Sequence, residues 1–198
     1  MTLLRAAAKT PGKSSAEDLL MTKLVGKGSH HGSSWFGKAG DIAQQPPVWA
    51  AVALVLSLGG PRGRRAALRG SVCYGAAALA QIIIKPMVGR SRPTASGWLR
   101  VGPVTSSFPS GHAASDLAFN IGASQELPVL LLPLSAATLA AHWSIVRSRG
   151  HYLSDVLAGG ALGIVVALAA WRLWPPGGAA EQEETSSSAT GYQQPQRP

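Results

Sequence analysis

The chain has 198 residues, of which 46% are hydrophobic and only 14% charged, with a formal net charge of +9. That length fits a single domain, and the shortage of charge against roughly 25% in an average soluble domain argues against an ordinary soluble protein. A nucleic-acid binder needs a folded basic surface or arm; here most of the chain is apolar, and Lys and Arg beside membrane spans explain the charge better. Cys73 is the only cysteine, so an intrachain disulfide and a cysteine-rich metal site are both excluded.

Polarity divides the chain into an N-terminal segment (1–46), an apolar middle (47–174) and a polar tail (175–198). Residues 1–16 read as disordered, and the N-terminus lacks the apolar stretch and small-residue cleavage site of a signal peptide, so insertion is expected to rest on the spans themselves. Residues 17–44 mix Leu, Val and Trp with Lys and Gly; they are too polar to span and suit short amphipathic pieces lying in the interface. A first span is expected over 47–59, short against the about 20 residues a bilayer core needs. The stretch GGPRGRRAALRG, 59–70, reads as a tight basic turn. A second span follows over 70–84 and is closed by Lys85 and Pro86. After an Arg-, Pro- and Ser-rich loop over 86–109, a third helix is expected from Pro109 to about Ala123, carrying Asp116 and Asn120 toward the bundle interior. Residues 127–146 form a fourth span. A fifth runs from His151 to Trp174, where Gly159, Gly160 and Gly163 permit close helix contacts. The tail PPGGAAEQEETSSSATGYQQPQRP reads as disordered. The expected fold is therefore all-α: a polytopic bundle of about five spans with an interfacial helical N-terminal segment.

In an up-and-down bundle the end of the second span, the start of the third, the end of the fourth and the start of the fifth share one membrane face. Three clusters meet there: Lys85 to Arg92-Pro93, Phe108-Pro109-Ser110-Gly111-His112, and Arg147-Ser148-Arg149-Gly150-His151 with Asp155. Singly, each has an ordinary explanation: basic residues anchor span ends, Pro-Ser-Gly starts a helix, and a histidine sits at the interface. Together they describe an anion site. Pro109 suits a first helical turn, Gly111 lets a ligand approach the backbone, and the free N–H groups of the helix start face an oxyanion. Ser110 adds a hydroxyl, while Lys85, Arg92 and an arginine of the third cluster supply positive charge for a phosphate. His151 and Asp155, spaced i and i+4, would share a helix face, the carboxylate fixing the imidazole so that its other nitrogen can attack. His112 is placed to protonate a leaving alkoxide and then to activate water.

These residues resemble the signature of the type 2 phosphatidic acid phosphatase (PAP2) family, which shares its site with the vanadium haloperoxidases. The signature is Lys, six residues, Arg-Pro; then Pro-Ser-Gly-His; then Ser-Arg, five residues, His, three residues, Asp. Lys85 with Arg92-Pro93, Pro109 through His112, and His151 with Asp155 match it, and the resemblance covers about residues 47–174. It implies a membrane phosphatase acting on a phosphate monoester or diphosphate of a phospholipid or polyprenyl lipid, His151 as nucleophile and no divalent metal or other cofactor; the sequence likewise offers no obvious carboxylate cluster for a metal. The signature's Ser-Arg falls on Ser144-Ile145, an isoleucine where arginine is expected. Arg147, four residues before His151, is the favoured replacement if the helix continues, with Arg149 as the alternative. The family's site faces away from the cytoplasm, and Arg62, Arg64, Arg65 and Arg69 crowd the opposite loop, where positive charge belongs on the cytoplasmic side; the N-terminal lysines run against that count. Two other readings remain: a vanadate-dependent haloperoxidase-like enzyme, and a membrane scaffold impaired by the change at Ile145. Asp116 is expected either to tune His112 or to pair with another buried polar group. His142, Trp143, Trp171 and Trp174 are expected at the interface, and His30-His31 at the surface.

Overall fold

The computed structural model describes residues 16–25, 42, 45–90, 106–147 and 150–177, and among them every regular element is a helix. Helix α1 is Ala16–Val25, α2 Pro46–Ser57, α3 Gly60–Val88 and α4 Gly111–Glu126; a 3₁₀ turn, Pro128–Leu130, leads into α5, Leu131–Arg147, and α6 is Leu153–Leu173. Three stretches among the described residues are long and apolar enough to cross a membrane: α3, the 3₁₀ turn together with α5, and α6. Helices α2 and α4, with 12 and 16 residues, are shorter. Of the segments expected to be disordered, 1–16 and 175–198, all but Ala16 and residues 175–177 lie outside the described residues, as do the histidines His30 and His31; Ala16 opens α1.

The tight basic turn expected over 59–70 is instead the opening of α3. Only Leu58 and Gly59 separate α2 from a 29-residue helix. Ala and Arg are strong helix formers and Pro61 sits in the first turn, where it lacks nothing the helix needs, so nothing in that stretch stops it. At the other end α3 runs through Pro86 to Val88 and stops at Gly89, whose φ of 60° is the left-handed cap that glycine adopts without strain.

Arg62, Arg64 and Arg65 at the start of α3 oppose its dipole, and a carboxylate, Glu126, stands beside this end of the helix. Arg69, 0% exposed, donates through Nε to Glu126 Oε1 at 2.9 Å and through Nη1 to Gln125 at 3.2 Å, and stacks 4.4 Å from the Trp174 ring. Arg65 Nε lies 3.7 Å from the same Glu126. Arg69 is thus a buried, neutralised charge rather than a loop cation. Arg69→Met is expected to cost about 3 kcal/mol of stability, because it strips a buried carboxylate of its main partner, while Arg69→Met with Glu126→Leu recovers most of it. Denaturation in detergent checks both.

Helix α4 is the centre of the bundle, packed extensively on α3 and α6 and also touching α5. Its Ala113, Ala114, Ala118, Gly122 and Ala123 keep the neighbouring backbones close, and Asp116, Asn120 and Ser124 are buried among them. Asn120 donates to Ser135 Oγ at 3.0 Å and accepts from Ser124 Oγ at 3.3 Å. Helices α4 and α6 approach closely: a Cβ on Gly159 would stand 2.3 Å from the Ser110 carbonyl oxygen, and one on Gly163 would stand 2.4 Å from that of Ala114. Gly160 differs, with only Leu117 Cδ2 at 3.5 Å. Two of the three glycines expected to make contacts therefore do so against backbone, and the third meets a side chain at ordinary distance.

Candidate active site

Helix α4 begins two residues after the proline expected to start it. Ser110 is its N-cap, with the side-chain oxygen accepting from Ala113 N at 3.4 Å, and Pro109 lies just outside. The cap is tied to the next span by Ser110 N, which donates to the Asp155 carbonyl at 2.9 Å. This bond and the Gly159 approach fix where the start of α4 stands against the start of α6.

The start of α6 is also later than expected. Tyr152 is the N-cap and Leu153 the first helical residue, so His151 precedes the helix. The i, i+4 face invoked for His151 and Asp155 therefore does not exist. The two groups meet through the capping turn: Asp155 stands at the third helical position and its Oδ2 accepts from Tyr152 N at 2.9 Å. That fold-back brings Oδ2 to 3.6 Å from His151 Nδ1, an ion-pair separation longer than a hydrogen bond. A carboxylate at a helix N-terminus is favoured by the dipole, and Asp155 is fully buried there.

Lys85, Gly111, His112 and His151 line one cavity of about 190 Å³, together with Pro46, Tyr74, Ala78, Gln81 and Ser115. The ends of α3, α4 and α6 thus converge as the up-and-down order requires, and the first residue of α2 joins them. Gln81, one turn before Lys85, lies against Gly111, where a Cβ would be 2.5 Å from its Oε1. So the space that glycine leaves is filled by an amide side chain from α3. Its spacing of four from Lys85 was the available signal, since both share a helix face.

Arg147 is the last residue of α5 and exposed, and it is not among the residues lining the cavity. The condition for its i, i+4 relation to His151, a helix continuing through both, is not met: the chain leaves α5 there, and Gly150 N bonds back to the Ile145 carbonyl at 3.1 Å. Arg92 and Arg149 lie outside the described residues. Ile145, 3% exposed, is buried in an apolar cluster with Met21, Val146, Tyr152, Val156 and Ala113.

Two residues that the sequence did not single out sit beside Asp155. Arg90 Nη1 donates to Asp155 Oδ1 at 2.9 Å and to Ser154 Oγ at 2.8 Å. Its Nη2 donates to Glu17 of α1, which also accepts from Ser154 Oγ. Arg90 stood within the first cluster but read there as a spacer; Glu17 carried no signal at all. His142, expected at the interface, is instead buried, with Nε2 3.9 Å from Asp116 Oδ2. Between the two readings of Asp116, this favours pairing with a buried polar group. The partner is a histidine because α5 turns its polar positions Ser135, Thr138 and His142 inward, and hydroxyl or imidazole groups facing lipid would lose their hydrogen bonds.

The model of the PAP2 superfamily matches residues 66–177, more than half of the chain. The chain belongs to the PAP2 superfamily. Among solved structures, the fold of this PAP2 protein is similar to that of a transmembrane PAP2-type phosphatidylglycerolphosphate phosphatase from Bacillus subtilis, with a TM-score of 0.58 at 18% identity over 78% of this chain and 82% of that one. Among curated proteins none is significantly similar to the chain. Family and fold together support a phosphatase of this superfamily, a hydrolase of phosphoric esters, and the apolar helices make it an integral membrane protein.

Proposed function

We propose that this PAP2 protein hydrolyses a lipid phosphate, a phospholipid phosphomonoester or a polyprenyl phosphate, through a phosphohistidine on His151 and without a divalent metal. The observation that carries the reading is that Lys85 of α3, His112 of α4 and His151 in the turn before α6, far apart in the chain, line one cavity at the N-terminus of α4. The structural neighbour's action on a lipid phosphate agrees with it.

In this mechanism Lys85, Arg92 and the backbone at the start of α4, with its positive helix-dipole end, hold the phosphate oxygens. Asp155 keeps the Nδ1 proton of His151 on its own side, so the Nε2 lone pair attacks phosphorus. The P–N bond forms as the P–O bond to the lipid breaks, and His112 gives its proton to the departing alkoxide. Water then attacks the phosphohistidine, His112 takes the water's proton, and cleavage of the P–N bond releases phosphate and restores His151.

Phosphate release from a panel of lipid phosphates in detergent tests this. Activity is expected to persist in EDTA and to be blocked by vanadate, which takes the geometry of the transferring phosphoryl group. Activity lost in EDTA and restored by a divalent cation would remove the metal-free mechanism. Burial of Ile145 at the signature's arginine position favours a second reading, a scaffold with impaired catalysis, and no release from any member of the panel would select it. Halide oxidation by vanadate-loaded protein would select the haloperoxidase-like one.

A further inference from the structure

Helix α1 is the main described element of the polar N-terminal segment, and it is seated on the bundle beside the site. Met21, 2% exposed, packs with Ile145, Val146, Tyr152, Val156 and Ala113. An arginine at 145 would have to enter that apolar cluster, so α1 occupies the flank from which the family signature would extend its guanidinium. Glu17 lies one turn before Met21 on the same helix face. Leu19, Leu20 and Leu24 are exposed elsewhere on α1, as an interfacial helix requires.

Glu17 bridges Arg90 Nη2 and Ser154 Oγ. The Arg90 guanidinium, stacked 4.4 Å from the Tyr152 ring, passes the constraint on through Nη1 to Asp155 Oδ1. The backbone of Arg90 is itself pinned: its N–H donates to Ser106 Oγ at 3.0 Å and its carbonyl accepts from Ser107 N at 2.8 Å. With Oδ1 held by Arg90 and Oδ2 by Tyr152 N, the Asp155 carboxylate cannot rotate, and Oδ2 stays beside His151 Nδ1. The Arg90 side chain is 27% exposed, so without Glu17 its planar fork is free to turn toward solvent and release Oδ1.

We infer that Glu17 and Arg90 are positioning residues for His151, acting through Asp155, and that α1 is thereby a working part of the site. The inference rests on the phosphatase reading for its kinetic arm only. The opposite role for Glu17, a carboxylate that imitates the substrate anion and must be expelled, predicts the opposite sign.

The test uses the full chain in detergent as wild type, Glu17→Ala, Glu17→Gln, Arg90→Lys and the double variant Glu17→Ala/Arg90→Lys. Phosphate release from a lipid phosphate is measured, and the ring nitrogen resonances of His151 are recorded on histidine-labelled protein. Loss of aim at His151 is expected to lower kcat about tenfold in both Glu17 variants and about a hundredfold in Arg90→Lys, with KM changed less than about twofold. The double variant is expected to be no worse than Arg90→Lys alone, because both act on one contact, and the His151 resonances shift in every variant. Unchanged kcat with unchanged resonances overturns the inference, as do additive losses, or a raised kcat with a lowered KM in Glu17→Ala. If the wild type releases no phosphate, the phosphatase reading fails by itself; the resonances then decide, shifted ones supporting the positioning role and invariant ones overturning it.

Discussion

His151→Ala is expected to lower phosphate release by about 10⁴-fold or more, since removing the nucleophile of a covalent mechanism leaves only binding and charge stabilisation. The melting temperature is expected to move little, because His151 stands in the turn before α6 rather than in the apolar core. His112→Ala should separate the two chemical steps. With a poor leaving group both steps need its proton transfer. With a leaving group as acidic as a nitrophenol the first step no longer does, and only the attack of water on the phosphohistidine stays slow. A burst of nitrophenol and an acid-labile phosphate on the protein are then expected in His112→Ala but not in His151→Ala. Release by His151→Ala within tenfold of wild type would remove this histidine from the nucleophile's role.

Gly159→Ala is expected to have the second-largest effect, through geometry instead of chemistry. The added Cβ would stand 2.3 Å from the Ser110 carbonyl oxygen and 3.1 Å from Ala113 Cβ, and neither is the end of a flexible side chain. The helices must separate at the point where Ser110 N bonds the Asp155 carbonyl, which draws His112 on α4 away from His151 before α6. A loss of about 2–3 kcal/mol is expected from this overpacking, and misplacement of the reacting groups by about 1 Å lowers kcat about a hundredfold. Gly160→Ala is the control: it meets only Leu117 Cδ2 at 3.5 Å, and its better helix propensity is worth up to about 1 kcal/mol, so activity and stability are expected to be kept or improved. Equal behaviour of the two variants would show that the α4–α6 approach does not set the site.

The parts of this site that were legible before the fold share a property: their residue types are chemically demanding and their spacing is short. Pro109 through His112 can only begin a helix facing something, and Asp116 and Asn120 on that helix demanded a protein surround, which they have. Helix ends were less legible, because Pro86 and the Arg-rich opening of α3 both look like stops, while a helix tolerates proline in its final turn here and begins readily with Arg and Ala. The relation of His151 to Asp155 was expected in proximity and mistaken in cause: spacing of four suggested a shared helix face, and the observed contact comes from a carboxylate capping the turn between them.

By itself the sequence determined that this is a helical membrane protein and pointed to a lysine and two histidines gathered at one end of its spans, because hydrophobic runs, span order and short motifs are local properties that each residue carries with it. Only the tertiary structure decided that Gln81 lies on Gly111, that His142 turns inward to Asp116, and that Arg90 and Glu17 brace Asp155. Those contacts, with the bond of Ser154 to Glu17, join residues up to 137 positions apart in the numbering. They arise from which faces the helices turn toward one another, and periodicity along a single helix does not encode the rotation of its neighbour.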